Sequence, residues 1–104
     1  MQEKRRYPRF NASVKIQDNE TLKTGWTRDL SLGGCLVEKS GDFDFLPIAS
    51  RRSFTLAIPG ADEPIEVHGV VKHKGKNRDV FGIQFENVDK KCAHYIEKFT
   101  GTFL

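Results

Sequence analysis

No apolar run in this sequence of 104 residues exceeds a few side chains, so no segment is long enough to cross a bilayer as a helix. Cysteine is almost absent. Cys35 and Cys92 lie far apart and form no CxxC pair, which excludes a disulfide-dense secreted scaffold. Nothing else points to an oxidising compartment, and both are read as buried, reduced thiols. His68, His73 and His94 show no metal-ligand spacing, so a zinc site is not expected. There is no phosphate-cradling P-loop, no nucleophile elbow with a Ser/His/Asp order and no Cys–His pair in a motif context. An enzyme is therefore not expected. The opening Met1 to Arg6 is basic, but Tyr7-Pro8-Arg9 stands where a signal peptide needs its apolar stretch. The chain is read as mature and cytoplasmic. No internal repeat or low-complexity segment interrupts it.

The length suits one domain with one core. The expected division is a flexible basic segment over residues 1–10, a barrel over 11–88 and a terminal helix over 89–101. A net charge of +3 and a pI near 9.0 point towards an anionic partner, though the excess is too small to decide anything. Its placement says more: Lys4, Arg5, Arg6 and Arg9 crowd the amino end, ahead of the first strand pattern. A run of this kind is either a solvated tail or a surface for an anion.

After that segment, Phe10, Ala12, Val14 and Ile16 alternate with polar residues, the period of a half-buried strand. Asp18-Asn19-Glu20 signals a turn, and Leu22 to Arg28 reads as a second strand. Gly33-Gly34 interrupts the chain before a short strand over Cys35 to Glu38. Lys39 to Ser50 reads as a longer loop. Alternation returns at Ser53 to Ile58, at Ile65 to Val71 and at Val80 to Glu86, with a charged hairpin turn over Lys74 to Asp79. The period then changes. Cys92, Tyr95, Ile96 and Phe99 form one helical stripe, with Asp89 as N-cap and Gly101 as stop, and the stripe is assigned to packing on the core. Six short strands and one helix predict an all-β fold: a six-stranded antiparallel β-barrel with a C-terminal α-helix. Closure removes the exposed edges that so few strands would otherwise leave.

Two motifs stand out. Arg5 and Arg9 form an RxxxR spacing just before the first strand. In a chain with seven arginines that spacing alone decides nothing. Asp29-Leu30-Ser31-Leu32-Gly33-Gly34 forms a DxSxxG pattern at the exit of the second strand, and Asp, Ser and Gly also populate ordinary turns. Taken together, in this order and on these elements, the two motifs resemble the signature of the PilZ domain family. Arg5 and Arg9 match the first motif, and Asp29, Ser31 and Gly34 match the second. The stretch Phe81 to Val88 and the closing helix are also similar to the family's last strand and terminal helix. Neither motif departs from the pattern.

The resemblance implies a six-stranded barrel that binds the bacterial second messenger cyclic di-GMP, needs no other cofactor and signals to a downstream protein. The residue chemistry suits that ligand. An arginine fork binds a phosphate or the O6/N7 edge of guanine and also stacks on the base. Pro8 stiffens the segment between Arg5 and Arg9. The Asp29 carboxylate accepts from guanine N–H groups that arginine cannot satisfy, and Ser31 donates or accepts beside it. Two apart on an extended segment, Asp29 and Ser31 share one face, while Leu30 and Leu32 take the other and anchor in the core. Gly34, helped by Gly33, allows a turn or close approach that a Cβ would block. Arg6 either adds a phosphate contact or is solvated.

Trp26 is either a stacking platform or a core residue, and general burial favours the core. Lys72 and His73 receive no role. Two other readings compete: a small basic barrel for single-stranded nucleic acid, and a PilZ-like protein-interaction module without nucleotide. The first needs exposed strand aromatics, whereas Phe54, Phe81 and Phe85 fall on the inward phase. Members of the second kind lack the two motifs present here. Cyclase and phosphodiesterase signatures are missing, so the chain is expected to read the messenger rather than make or destroy it.

Overall fold

The structure is a computed structural model and describes residues 10–38, 43, 46–72 and 80–101. Seven strands and one helix follow in order: β1 (Phe10–Asn11), β2 (Lys15–Asp18), β3 (Thr24–Ser31), β4 (Gly34–Glu38), β5 (Arg51–Ala57), β6 (Ile65–Lys72), β7 (Val80–Glu86) and α1 (Lys90–Thr100). All pairings are antiparallel. β2 pairs with β3 and β5, β5 with β6, β6 with β7, β7 with β4, and β4 with β3, which closes a ring. β1 pairs with β3 along the edge that β2 uses, so β1 and β2 are two parts of one interrupted strand. The barrel therefore has six members, as the alternation predicts.

The interruption has a local cause. Asn11 pairs with Asp29 but Lys15 pairs with Trp26, so the first strand carries one residue too many between them. Thr27, buried opposite, repairs the gap. Its hydroxyl accepts from the Val14 N–H at 2.9 Å and donates to the Ala12 carbonyl at 2.6 Å. A valine of the same shape would leave both backbone groups without this partner.

The core follows the inward phase of each strand: Val14, Ile16, Leu30, Cys35, Val37, Phe54, Leu56, Val67, Val71, Ile83 and Phe85 are buried. Cys35 and Cys92 are both buried and form no disulfide, and burial pushes the Cys92 thiol up to about 11. The segment read as a plain loop contributes to the core as well. Phe43 is fully buried and stacks on Phe81 at 5.8 Å between centroids. It lies over Gly25, where a Cβ would stand 3.0 Å from its ring. Leu46 is buried in the same core cluster. The predicted hairpin turn over 74–79 lies outside the described residues.

Among the described residues, one buried carboxylate is paired with a buried guanidinium. Asp18, wholly buried at the end of β2, accepts from Arg52 Nε and Nη2 at 2.9 Å each and from the Thr21 backbone N–H and hydroxyl. Glu20 is a second carboxylate for the Arg52 fork at 3.3 Å. Burial pushes the Asp18 carboxyl up, but the Arg52 and Thr21 hydrogen bonds outweigh it and leave it below the usual carboxylate range.

At the carboxyl end the sequence reading holds closely. Asp89 caps α1 by accepting from the Cys92 N–H at 2.8 Å, and Gly101 ends it with φ 73°. Cys92 and Ile96 are buried, with Tyr95 and Phe99 packed against the core. The Cys92 thiol donates to the Glu66 carbonyl at 3.3 Å, seating the helix on β6.

Candidate functional site

Strand parity decides where Asp29 and Ser31 face. Gly25 and Thr27 take the inward positions of β3. A strict alternation would carry Asp29 inward after them. Instead, Thr27 pairs with Val37 while Asp29 pairs with Leu36, so Arg28 is an extra residue, a β-bulge. The bulge resets the phase. Leu30 becomes the inward residue, fully buried opposite Cys35, and Asp29 and Ser31 join the outer wall.

They do not stand free on that wall. Both are buried on that outer face, at 8% and 4% exposure, a burial that the motif itself does not display. Asp29 Oδ1 accepts from the Leu36 N–H at 2.9 Å. Ser31 Oγ accepts from the Gly33 N–H at 3.1 Å and donates to the Gly34 carbonyl at 3.3 Å. These side chains therefore stabilise the β3–β4 hairpin as well as lining its surface. Leu30 anchors in the core as expected, whereas Leu32 is only partly buried against it.

Gly34 fulfils its expected part. Its φ is 155°, and a Cβ there would stand 2.1 Å from the Ile83 carbonyl oxygen on β7. No side chain fits between these backbones. Gly33 holds the other side of the turn, its carbonyl accepting from the Phe85 N–H at 2.9 Å. Arg5, Arg6 and Arg9 lie outside the described residues, as does His73. The nearest described part of that amino-terminal chain is β1, whose Asn11 pairs with Asp29.

Across the neighbouring strands, the outer wall continues the two motif positions as rows. Asp29, Leu36, Gly82 and Lys72 are successive cross-strand partners. Ser31, Gly34, Gln84, Val70 and Arg51 form the next row. Gly82 leaves a floor without a side chain, flanked by Leu36 and Lys72 at ordinary contact distance. The result is a shallow shelf with a carboxylate at one end and an ammonium at the other. No contiguous motif marks such a shelf; only the register of four strands reveals it.

Trp26 overturns the expectation of a core tryptophan, being 50% exposed. Counting back in twos from the inward Leu30 would place it inside, but the bulge reverses that count. The polar neighbours Thr24 and Arg28 at the same spacing carry the true phase, since both are exposed.

A separate row, Ser53, His68 and Glu86, brings a hydroxyl, an imidazole and a carboxylate onto adjacent strands. It does not assemble a nucleophile. The Ser53 hydroxyl donates to Glu66 at 2.6 Å and accepts from Asn19 at 2.9 Å, while Glu86 faces Arg51 at 3.4 Å. Among the described residues, no helix is long and apolar enough to cross a membrane.

A closed barrel of six antiparallel strands, with a β3–β4 hairpin held by Asp29 and Ser31 and a helix packed at the carboxyl end, defines a recognisable class of small barrel domain. The sequence model of the PilZ domain matches residues 3–100, and the chain belongs to the PilZ domain family. Solved structures agree on the fold. The Bacillus subtilis inhibitor of motility (MotI/DgrA) superposes with a TM-score of 0.77 at 16% identity, covering 95% of this chain and 50% of that one. The PilZ domain of Escherichia coli YcgR with c-di-GMP gives 0.68 at 17% identity, covering 96% and 91%. YcgR from Escherichia coli in complex with c-di-GMP gives 0.67 at 18% identity, covering 92% and 44%. The chain thus spans half or less of the first and third of these proteins and nearly all of the second. No curated protein matches the sequence significantly.

Proposed function

We propose that this chain is a receptor for cyclic di-GMP without catalytic activity of its own, using Arg5, Arg6, Arg9, Asp29, Ser31, Gly33 and Gly34. The observation that carries the reading is membership of the PilZ family with both motifs intact in one sequence. The c-di-GMP complexes of the YcgR structures support the choice of ligand. In this reading Arg5 and Arg9 grip phosphate and guanine edges with their planar forks. Asp29, seated at the hairpin by the Leu36 N–H, presents carboxylate to guanine N–H donors. The buried setting of Asp29 and Ser31 favours such a role, because a prearranged acceptor loses little freedom on binding.

Binding draws residues 4–9 over the ligand and against the β3–β4 hairpin, and the reshaped face engages a cytoplasmic protein partner. The likeness to an inhibitor of motility supports seeking that partner first in motility machinery. Calorimetric titration with cyclic di-GMP tests the reading, with GMP, cyclic AMP and a single-stranded oligonucleotide as controls. Saturable binding of cyclic di-GMP alone is expected. Preference for the oligonucleotide, or silence with every ligand, refutes it. Arg5→Ala and Arg9→Ala should each lose roughly 1.5–3 kcal/mol, the worth of a charge-assisted hydrogen bond, or about ten- to a hundredfold in affinity. Hydrogen exchange over residues 4–9 should slow on binding; unchanged exchange refutes the switch.

A further inference from the structure

Trp26 is the one tryptophan of the chain, and half of it faces solvent. On the outer wall of β3 it stands three residues before Asp29, at most about 10 Å away at the rise of an extended strand, since the Arg28 bulge lies between them. Among the described residues, no ring or cation lies against the indole and no acceptor takes its N–H. Its cross-strand partner Lys15 is exposed and has no carboxylate partner among the described residues. Arg28, which lies between Trp26 and Asp29, is already held by Glu38 at 2.9 Å. Among the described residues, the wall therefore presents a half-exposed aromatic plane and a cation without a carboxylate partner on the same strand ladder as the motif carboxylate.

We infer that Trp26 is a stacking platform for one purine of the bound cyclic dinucleotide, with Lys15 facing a phosphate beside it. The inference rests on the receptor reading above. A ligand with two purines on one phosphate ring offers Asp29 the hydrogen-bonding edge of one base. The face of the other is then left for an aromatic plane. Stacking suits an indole on a strand, which is held rigidly and presents a flat apolar surface. Lys15 supplies a point charge rather than a fork, enough for a phosphate and indifferent to base identity.

Because the chain holds one tryptophan, emission excited selectively at the indole reports on this position alone. Titration with cyclic di-GMP should quench it, with a midpoint equal to the calorimetric one. Trp26→Ala should weaken binding about five- to a hundredfold, the range for losing one base–aromatic stack. Trp26→Phe should recover most of that loss, and Lys15→Gln should weaken binding and flatten its salt dependence. Calorimetric binding with unchanged emission, or with wild-type affinity in Trp26→Ala, overturns the inference and leaves the receptor reading standing. If the wild-type chain shows no heat with cyclic di-GMP, the receptor reading itself fails and takes this inference with it.

Discussion

Replacing Arg52 by methionine is the sharpest test of how this barrel is held together. The substitution keeps an unbranched side chain of comparable length but removes both 2.9 Å bonds to Asp18, a carboxylate with no exposed surface. Thr21 continues to donate two hydrogen bonds, so the charge is not wholly abandoned. Breaking a buried pair from one side costs about 3–5 kcal/mol, against a total of about 5–15 kcal/mol for a domain. With a urea slope of about 1–3 kcal/mol per molar, the midpoint should fall by roughly 1–5 M. Asp18→Asn should cost less, because Glu20 still faces the guanidinium at 3.3 Å.

The pH dependence has a definite sign. In the wild type, the Asp18 carboxyl sits below its ordinary value, so its contribution is complete above the unfolded carboxyl range near 3.9. It is lost as pH falls through the folded value. Without Arg52, burial acts with less opposition and raises the carboxyl, so the variant gains relative stability on acidification. Urea denaturation at several pH values should show the widest gap at neutrality and a narrowing gap towards pH 4. A gap that stays constant with pH, or a neutral-pH cost below about 1 kcal/mol, refutes the reasoning.

Gly34→Ala should lower stability by about 2–6 kcal/mol, adding a conformation strained for any side chain to an overpacked contact with Ile83. A wild-type denaturation midpoint would contradict that geometry. Thr27→Val should cost about 2 kcal/mol, since the Val14 N–H and Ala12 carbonyl lose their shared hydroxyl. Asp29→Asn keeps an acceptor for the Leu36 N–H, so stability should move by less than about 1 kcal/mol while calorimetry shows weakened cyclic di-GMP binding. Asp89→Ala removes the α1 cap from the Cys92 N–H and should cost about 1 kcal/mol by thermal unfolding.

What could be read in advance was local. The alternation in β5, β6 and β7 is carried by neighbours in sequence, and so are the cap and stop of α1. What escaped depends on partners far along the chain. Both bulges exist only relative to the strand opposite, so no periodicity within β1 to β3 displays them. The burial of Phe43 depends on the bare backbone of Gly25, and Asp18 meets Arg52 across 34 positions. The site residues were legible as a motif, but their burial was not. A DxSxxG hairpin reads the same whether its carboxylate points to water or bonds the facing strand. Trp26 was assigned to the core on the general burial of tryptophan, and its outward phase shows only against the strands opposite.

The short β1 ladder has a further consequence. By pairing Phe10 with Leu30 and Asn11 with Asp29, it tethers the amino-terminal chain beside the hairpin. Five peptide units at full extension span at most about 18 Å, so Arg5 cannot stray farther than that from the Phe10 backbone. In the proposed receptor reading, engagement of the motif arginines with Asp29 is therefore intramolecular rather than a second binding event. Cutting that tether, by proteolysis just before Phe10, should weaken capture far more than adding the free basic peptide back in solution can restore.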